Sequence, residues 1–309
     1  MGRRKRGKPI NGWLVLDKAY DVTSMHAVNK ARRLFDAQKA GHAGTLDPLA
    51  TGVLPVAFGE ATKTVPYLVD ASKAYRFTAK WGVSTTTDDA EGEPLAMSQA
   101  RPAPAEIEAA LPAFIGEIEQ APPAFSAVKV DGQRAYDLAR DGSPQDLAPR
   151  PVRIDTLRLV ETPSADEAVF EMTCGKGAYV RAVVRDLAKA LGTEGHVTAL
   201  RRTRVGPFDE DAAIGLDSLE KLSDNPALMG ALRPVSTALD DIPALAVSGG
   251  EAQRLRRGQA IVLTPEQAKT TRDGRRGVLP AVLAMSQEQA AAICELDGLT
   301  LKPSRVFNL

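Results

Sequence analysis

The sequence predicts an α+β fold with a small β-rich domain at its C-terminal end. Three observations carry this expectation. Helical and alternating segments are interspersed, and two successive alternating runs, 152–160 and 168–174, favour an antiparallel pair over a repeating βαβ sheet. From about residue 245 the texture changes to short apolar runs (261–263, 278–283, 292–296 and 299–301) separated by charged turns. A length of 309 residues suits one large domain plus a small one. The expected division is a basic disordered arm over 1–9, a main domain over 10–244 and the small domain over 245–309.

Taken in order, residues 1–9 hold Arg3, Arg4, Lys5, Arg6 and Lys8 and nothing to bury, so they read as a tail. The run 13–16 reads as a short strand. Ser24 reads as the N-cap of a helix whose inner face carries Val28, Ala31, Leu34 and Phe35. Residues 40–52 read as glycine-punctuated loop, 53–58 as a buried strand, 60–70 as helix around Pro66, and 75–81 as an alternating strand. An acidic loop leads to a helix near 104–112 and an irregular Pro122-Pro123 step. A strand over 126–130, turning at Asp131-Gly132, and a helix over 133–140 come next. Residues 178–191 form an amphipathic helix with Val180, Val183, Val184 and Leu187 inward. A strand over 200–205 and helices near 214–222 and 225–232 complete the main domain.

No apolar run approaches the ~18 residues that a membrane-crossing helix needs. No signal-peptide core follows the basic N-terminus, so a cytoplasmic location is expected. Cys174 and Cys294 lie far apart with no Cys-x-x-Cys pair, and His26, His42 and His196 show no metal-ligand spacing. Neither a disulfide framework nor a metal site is expected. Net charge is zero, yet Lys/Arg to Asp/Glu run 11 to 5 over 1–63 and 7 to 2 over 176–206. The balance reverses to 1 against 8 over 85–120 and 2 against 8 over 209–241. Segregation of this kind can give a neutral protein a basic face for an anionic polymer; taken alone it describes solvated loops as well.

The most unusual stretch is 41–52, Gly-His-Ala-Gly-Thr-Leu-Asp-Pro-Leu-Ala-Thr-Gly. Its glycines permit turns closed to other residues, and Pro48 fixes the backbone after Asp47. Such a loop can aim one carboxylate, although spacing alone favours an Asp that merely caps a turn. It is no phosphate cradle, because the Gly-Lys-Ser/Thr ending of a P-loop is missing. A second stretch, 175–181, joins a strand to a helix and places Tyr179 and Arg181 just inside the helix start, where backbone amides favour anions. A surface arginine is the plainer reading there. A third stretch, 73–77, sets Tyr75 early in a strand, where ordinary packing would also suit it.

Together these stretches resemble the TruB family of tRNA pseudouridine synthases, which isomerise uridine 55 in the T-loop. Residues 41–55, GHAGTLDPLATGVLP, resemble the family's central motif. Residues 13–18, 58–63, 73–76, 120–136, 176–181 and 200–202 match further motifs in order and spacing, from about residue 10 to 206. The resemblance implies a pseudouridine synthase fold: a mixed, mostly antiparallel sheet with flanking helices and a cleft across it. It also implies a PUA-like RNA-binding domain at the C-terminus, matched best at 301–307. Neither metal nor organic cofactor is needed. The implied partner is the T-arm of tRNA, with no membrane and no obligate protein partner. Nothing marks a large apolar interface, so a monomer is expected.

By resemblance Asp47 is the catalytic aspartate, Tyr75 stacks on the uracil and can move a proton, and Arg181 pairs with Asp47. Tyr179 and Leu200 line the pocket, and His42 fills the gap left by the extruded base. Lys18 lies near the cleft, serving structure or phosphate. Lys129 and Arg134, with the arm and 176–206, are the implied phosphate contacts. Ala19, His26 and Phe125 depart from the common family residues without touching Asp47, Tyr75 or Arg181 in the motifs.

Pseudouridine formation breaks the N1–C1′ bond, turns the freed uracil and joins C5 to C1′. Extruding the base costs a few kcal/mol, and stacking on an aromatic face returns roughly 1–3 kcal/mol. Burial disfavours a charged carboxylate, and a neighbouring guanidinium opposes that penalty. Attack by Asp47 on C1′, attack on C6 and proton removal at C2′ all stay open. So do two other readings. One is a tRNA-folding chaperone using the same cleft, alone or beside the chemistry. The other is a guide-RNA-dependent relative, for which the short C-terminal domain leaves little room.

Overall fold

Trp13, Leu14, Val15 and Leu16 are each at most 1% exposed, so the strand they form, β1 (Gly12–Lys18), is covered on both faces. A strand buried on both sides reads as an apolar run without alternation. This computed structural model describes residues 7–309 apart from 131, 144, 223, 224 and the side chain of Arg134. β2 (Ala40–His42) and β1 both pair with β3 (Thr51–Phe58). The sheet continues with β4 (Lys73–Trp81), β5 (Gly116–Gln120), β6 (Arg150–Ser164), β7 (Glu167–Cys174), β8 (Gly195–Val205) and β9 (Ile214–Gly215). Among the described residues it has eleven strands, in the main order β9-β1-β3-β8-β4-β7-β6-β5. The β9–β1 and β3–β8 pairs are parallel and the rest of this path is antiparallel, which is the mixed, mostly antiparallel sheet expected.

Helix α1 (Ser24–Leu34) packs Ala27, Val28 and Ala31 against Leu14, Leu16, Leu54 and Val56 of β1 and β3. Short helices α2 (Val65–Asp70), α3 (Pro104–Ala110) and α4 (Ala135–Arg140) lie on connections. Helix α5 (Val180–Ala190) buries Val183, Val184 and Leu187 against Phe77, Trp81 and Phe170. Leu200 on β8, a mid-sheet strand, packs against both the α1 cluster and the α5 cluster. Helices α6 (Leu216–Lys221) and α7 (Ala227–Gly230) follow β9.

The C-terminal region is β-rich as expected. Strands β10 (Ala244–Ala246), β11 (Ile261–Val262), β12 (Leu279–Ser286), β13 (Gln289–Asp297) and β14 (Thr300–Val306) pair in the order β10-β12-β13-β14-β11. Two helices also stand there that were not expected, α8 (Gly249–Arg256) and α9 (Pro265–Arg272). Each opens on a capping box, Ser248 with Glu251 and Thr264 with Gln267, a start signal already present in the sequence. Leu283, Ile293 and Phe307 share a buried cluster with Trp13, Val53 and Val205, so the core runs across the expected 244/245 boundary.

Other local expectations are corrected. Ser24 is not the N-cap: Thr23 accepts from the His26 amide, while the buried Ser24 hydroxyl is engaged with Leu46. Residues 40–52 are not all loop, since β2 occupies 40–42 and β3 begins at Thr51. Strand structure in 126–130 is confined to Lys129–Val130, because the carbonyls of Ser126 and Val128 accept from Tyr136 and Ala135 at the start of α4. Asp131, one residue of the expected turn, lies outside the described residues. Of the arm, residues 1–6 lie outside them too, while Lys8 bridges to Ala37 and is held there.

Both cysteines are buried and free. Burial pushes the Cys174 thiol up to about 12, with Lys73 opposing, and pushes Cys294 up to about 12 as well. Neither thiol is expected to alkylate at pH 8 in the folded protein, and both after unfolding, as read by intact mass. Fast native labelling would contradict the packing.

Candidate active site

Asp47 sits in the loop between β2 and β3, and the main chain on both sides of it is tied down. The Ser24 hydroxyl donates to the Leu46 carbonyl and accepts from the Leu46 amide, each at 2.9 Å. Lys18 Nζ donates to the carbonyls of Pro48 at 2.9 Å, Val22 at 2.6 Å and Ala19 at 2.9 Å. Arg202 Nη2 donates to the Gly44 carbonyl at 3.0 Å and Nη1 to that of Thr45 at 3.4 Å. The carboxylate is thus presented by a loop anchored at residues 44, 45, 46 and 48.

Arg181 faces it from the second position of α5. Its Nη2 lies 3.0 Å from Asp47 Oδ2, and its Nε lies 3.6 Å from Asp89 Oδ2. Nη1 donates to the Thr87 carbonyl at 2.8 Å and Nη2 to that of Phe125 at 2.9 Å. The Arg181 side chain is 5% exposed and that of Asp47 is 40% exposed, so a fixed cation underlies an accessible acid. Tyr179 occupies the N-cap position, one residue outside the helix, not inside it as expected. Its amide donates to Gln120 Oε1 at 2.8 Å, and Gln120 Nε2 donates to its carbonyl at 3.2 Å, so a buried side chain clamps this corner.

Asp47, Tyr75, Tyr179, Arg181 and Leu200 line one cavity of about 110 Å³, with Thr45, Leu46, Ala178 and Val180 filling its walls. That is room for a single-ring base. Burial raises the Tyr75 phenol above its usual value, with Arg202 opposing, so at neutral pH it is a protonated hydroxyl on an aromatic face. A larger, open hollow of about 700 Å³ lies over Lys269, Arg272, Arg275 and Arg276 in the C-terminal region, but it offers no comparable pairing of acid and aromatic ring for chemistry.

The other expected residues stand elsewhere. Lys18 is fully buried and donates to three carbonyls, so it serves the loop and does not meet a phosphate or line the cavity. His42, half-buried at the end of β2, is also outside the cavity wall; burial and then Arg202 lower its pKa, keeping it neutral at pH 7. Lys129 is exposed on a short hairpin opposite Arg134, whose side chain lies outside the described residues. Among the described residues no group of three or more His, Cys, Asp or Glu could hold a metal ion. Sequence reasoning missed the contributions of Ser24, Asp89, Gln120 and Arg202. Only Arg202 carried a usable signal, as an arginine two residues from Leu200 on the inner side of a strand.

Burial lowers the Lys18 ammonium to about 8, against the pull of Asp47. Lys18→Met strands three carbonyls and is expected to lose roughly 1–3 kcal/mol at pH 7. The folded state releases the Lys18 proton near pH 8 and the unfolded state near 10.5, so between them the unfolded chain binds more protons. Wild type should therefore gain stability relative to Lys18→Met as pH rises through that window, as denaturant titrations can measure.

A mixed α+β sheet that brings an aspartate, an arginine and a tyrosine around one base-sized cavity suits an enzyme that acts on a nucleobase. A chain from "Crystal Structure of a Cbf5-Nop10-Gar1 Complex" shares that fold at a TM-score of 0.72, with 23% identity over 96% of this chain and 85% of that one. Residues 32–180 match the description "TruB family pseudouridylate synthase (N terminal domain)", and 181–240 match "tRNA pseudouridylate synthase B C-terminal domain". The "tRNA pseudouridine synthase B" of Caulobacter vibrioides is 60% identical over 309 residues, 100% of both chains. That of Gluconacetobacter diazotrophicus is 52% identical over 306 residues, 99% of this chain and 100% of the other. The chain belongs to the TruB family of pseudouridylate synthases, enzymes that isomerise uridine to pseudouridine in RNA.

Proposed function

We propose that this enzyme converts uridine 55 in the T-loop of tRNA to pseudouridine, without a protein partner, using Asp47 as its catalytic carboxylate. The observation that carries the reading is the accessible Asp47 carboxylate 3.0 Å from buried Arg181, in the same cavity as Tyr75. The names of the full-length relatives support tRNA as the substrate. The target base swings out of its stack into the cavity and lies on the Tyr75 ring. Asp47 acts on the sugar or on the ring while Arg181 holds its charge and direction. Tyr179 and Leu200 close the walls against water, so that the detached uracil turns and re-joins through C5 before it can be lost. Residues 10–244 carry the chemistry, and 245–309 add RNA contacts.

The test is incubation of one unmodified tRNA transcript with purified protein, followed by chemical mapping of pseudouridine. The expected result is a single pseudouridine at position 55, and none in a transcript with cytidine there. Modification at another position, or none anywhere, overturns the assignment. Affinity for the transcript should fall steeply with salt, because phosphate contacts release counterions; Arg181 and Arg202 are buried and are not among those contacts, and binding that ignores salt would remove Lys129, Arg134 and the exposed Lys176 and Lys189 as well.

A further inference from the structure

A second buried arginine has no place in the chemistry described so far. Arg202 is 1% exposed and, among the described residues, forms no ion pair with a carboxylate. Asp47 acts on it only from beyond ion-pair distance, and a cation buried without a contacting carboxylate is costly, so a purely structural residue would more economically be neutral. Its guanidinium donates to Val53 O at 2.8 Å on β3, as well as to the Gly44 and Thr45 carbonyls of the Asp47 loop. Strand register sets Arg202 directly opposite Tyr75, so the two side chains leave the same face of the sheet. Burial raises the Tyr75 phenol and lowers the Arg202 guanidinium, and each of the two groups opposes the other's shift. The glycines of the loop fit this arginine. Gly44, at φ +89°, would bring a Cβ within 3.3 Å of Arg202 Nη1, and Gly52, at φ +97°, within 2.2 Å of the Arg202 carbonyl.

We propose that Arg202 is a positioning residue for the isomerisation: it locks the loop carrying Asp47 to the strand below and holds the Tyr75 hydroxyl, so that acid and ring keep one geometry about the uracil. This rests on the roles proposed above for Asp47 and Tyr75. Each of the three open routes places negative charge on the uracil as it is attacked or released. A fixed positive charge under the cavity floor favours that charge without touching the base.

The test compares Arg202→Lys and Arg202→Met with wild type in single-turnover pseudouridine formation, tRNA binding and thermal melting. It adds NMR of 13Cζ-labelled tyrosine. Both variants should lose about 10²-fold or more in rate well below their melting points, as misplacement of reacting groups does. The Kd for tRNA should stay within about threefold, because Arg202 is buried away from RNA. Lysine should not rescue the rate, since one ammonium cannot serve three carbonyls and a phenol at fixed angles. Of five tyrosine signals, the one missing from Tyr75→Phe should shift in the Arg202 variants while the other four stay. A near-wild-type rate in folded Arg202→Lys, or an unmoved Tyr75 signal, overturns the proposal. So does a rate loss that vanishes once melting differences are allowed for. If Arg202→Met fails to fold, Arg202→Lys keeps every readout. If wild type makes no pseudouridine, the functional reading fails, while the NMR still reports on the Arg202–Tyr75 contact.

Discussion

Asp47→Asn should abolish pseudouridine formation, by about 10³-fold or more, while leaving the fold and RNA affinity nearly intact. The change is isosteric, and the bonds that hold the loop run from Ser24, Lys18 and Arg202 to main-chain atoms, not to the Asp47 carboxylate. Arg181 keeps Asp89 and two carbonyls, so no buried cation is orphaned. Removing a negative charge from a surface that meets a polyanion should, if anything, tighten binding. The measurement is single-turnover product formation beside a binding titration on the same transcript. Because chemistry and binding separate in this variant, it also decides the chaperone reading. Assisted tRNA folding that survives Asp47→Asn belongs to the cleft, and folding lost with the chemistry does not. Full activity in the variant would end the assignment of Asp47.

Arg181→Met should be the most damaging change to both activity and stability. It strands the carbonyls of Thr87 and Phe125 and takes the cation away from Asp47 and the buried Asp89. Breaking a buried pair in this way costs roughly 3–5 kcal/mol. The loss should depend on pH. Burial, then Asp89 and Asp47, already raise the Glu91 pKa, and Arg181 opposes them. Without the arginine that rise increases. A raised folded-state carboxyl pKa means stability present in acid and lost as pH climbs through it. The stability gap between wild type and Arg181→Met should accordingly narrow toward acid pH and widen toward neutral, as urea titrations can show. Arg181→Lys should recover more stability than rate, because a single ammonium cannot span acceptors contributed by Thr87, Asp89, Phe125 and Asp47. Equal recovery of both would reduce Arg181 to a structural residue.

Much of this was legible in the sequence where local physics dominates. The apolar run 13–16, the amphipathic face of 180–190 and the antiparallel pair ending at Cys174 all followed from the pattern of apolar residues, because burial alone fixes them. The loop around Asp47 showed its glycines and proline but not its anchors. Its rigidity comes from Ser24, Lys18 and Arg202, which lie 22, 30 and 157 or 158 positions from the loop residues they hold. Such couplings leave no trace in local spacing. Ser24 shows the ambiguity directly: Thr23 and Ser24 can each cap a helix, and only the need of Leu46 for a partner decides between them. For Lys18 the sequence left structure and phosphate both open. A lysine near a cleft suggests a phosphate, yet its burial under the loop spends every proton on carbonyls. The two helices near the C-terminus were missed although their capping boxes were present, because the short apolar strands around them dominated the pattern.

The most direct measurement is a structure of the enzyme holding a T-arm RNA with 5-fluorouridine at the target position. The expected result is the pyrimidine out of its helix and inside the cavity, against Tyr75, with the Asp47 carboxylate at its sugar or ring and still facing Arg181. A pyrimidine seated elsewhere, with Asp47 turned away from it, would contradict the assignment of this cavity.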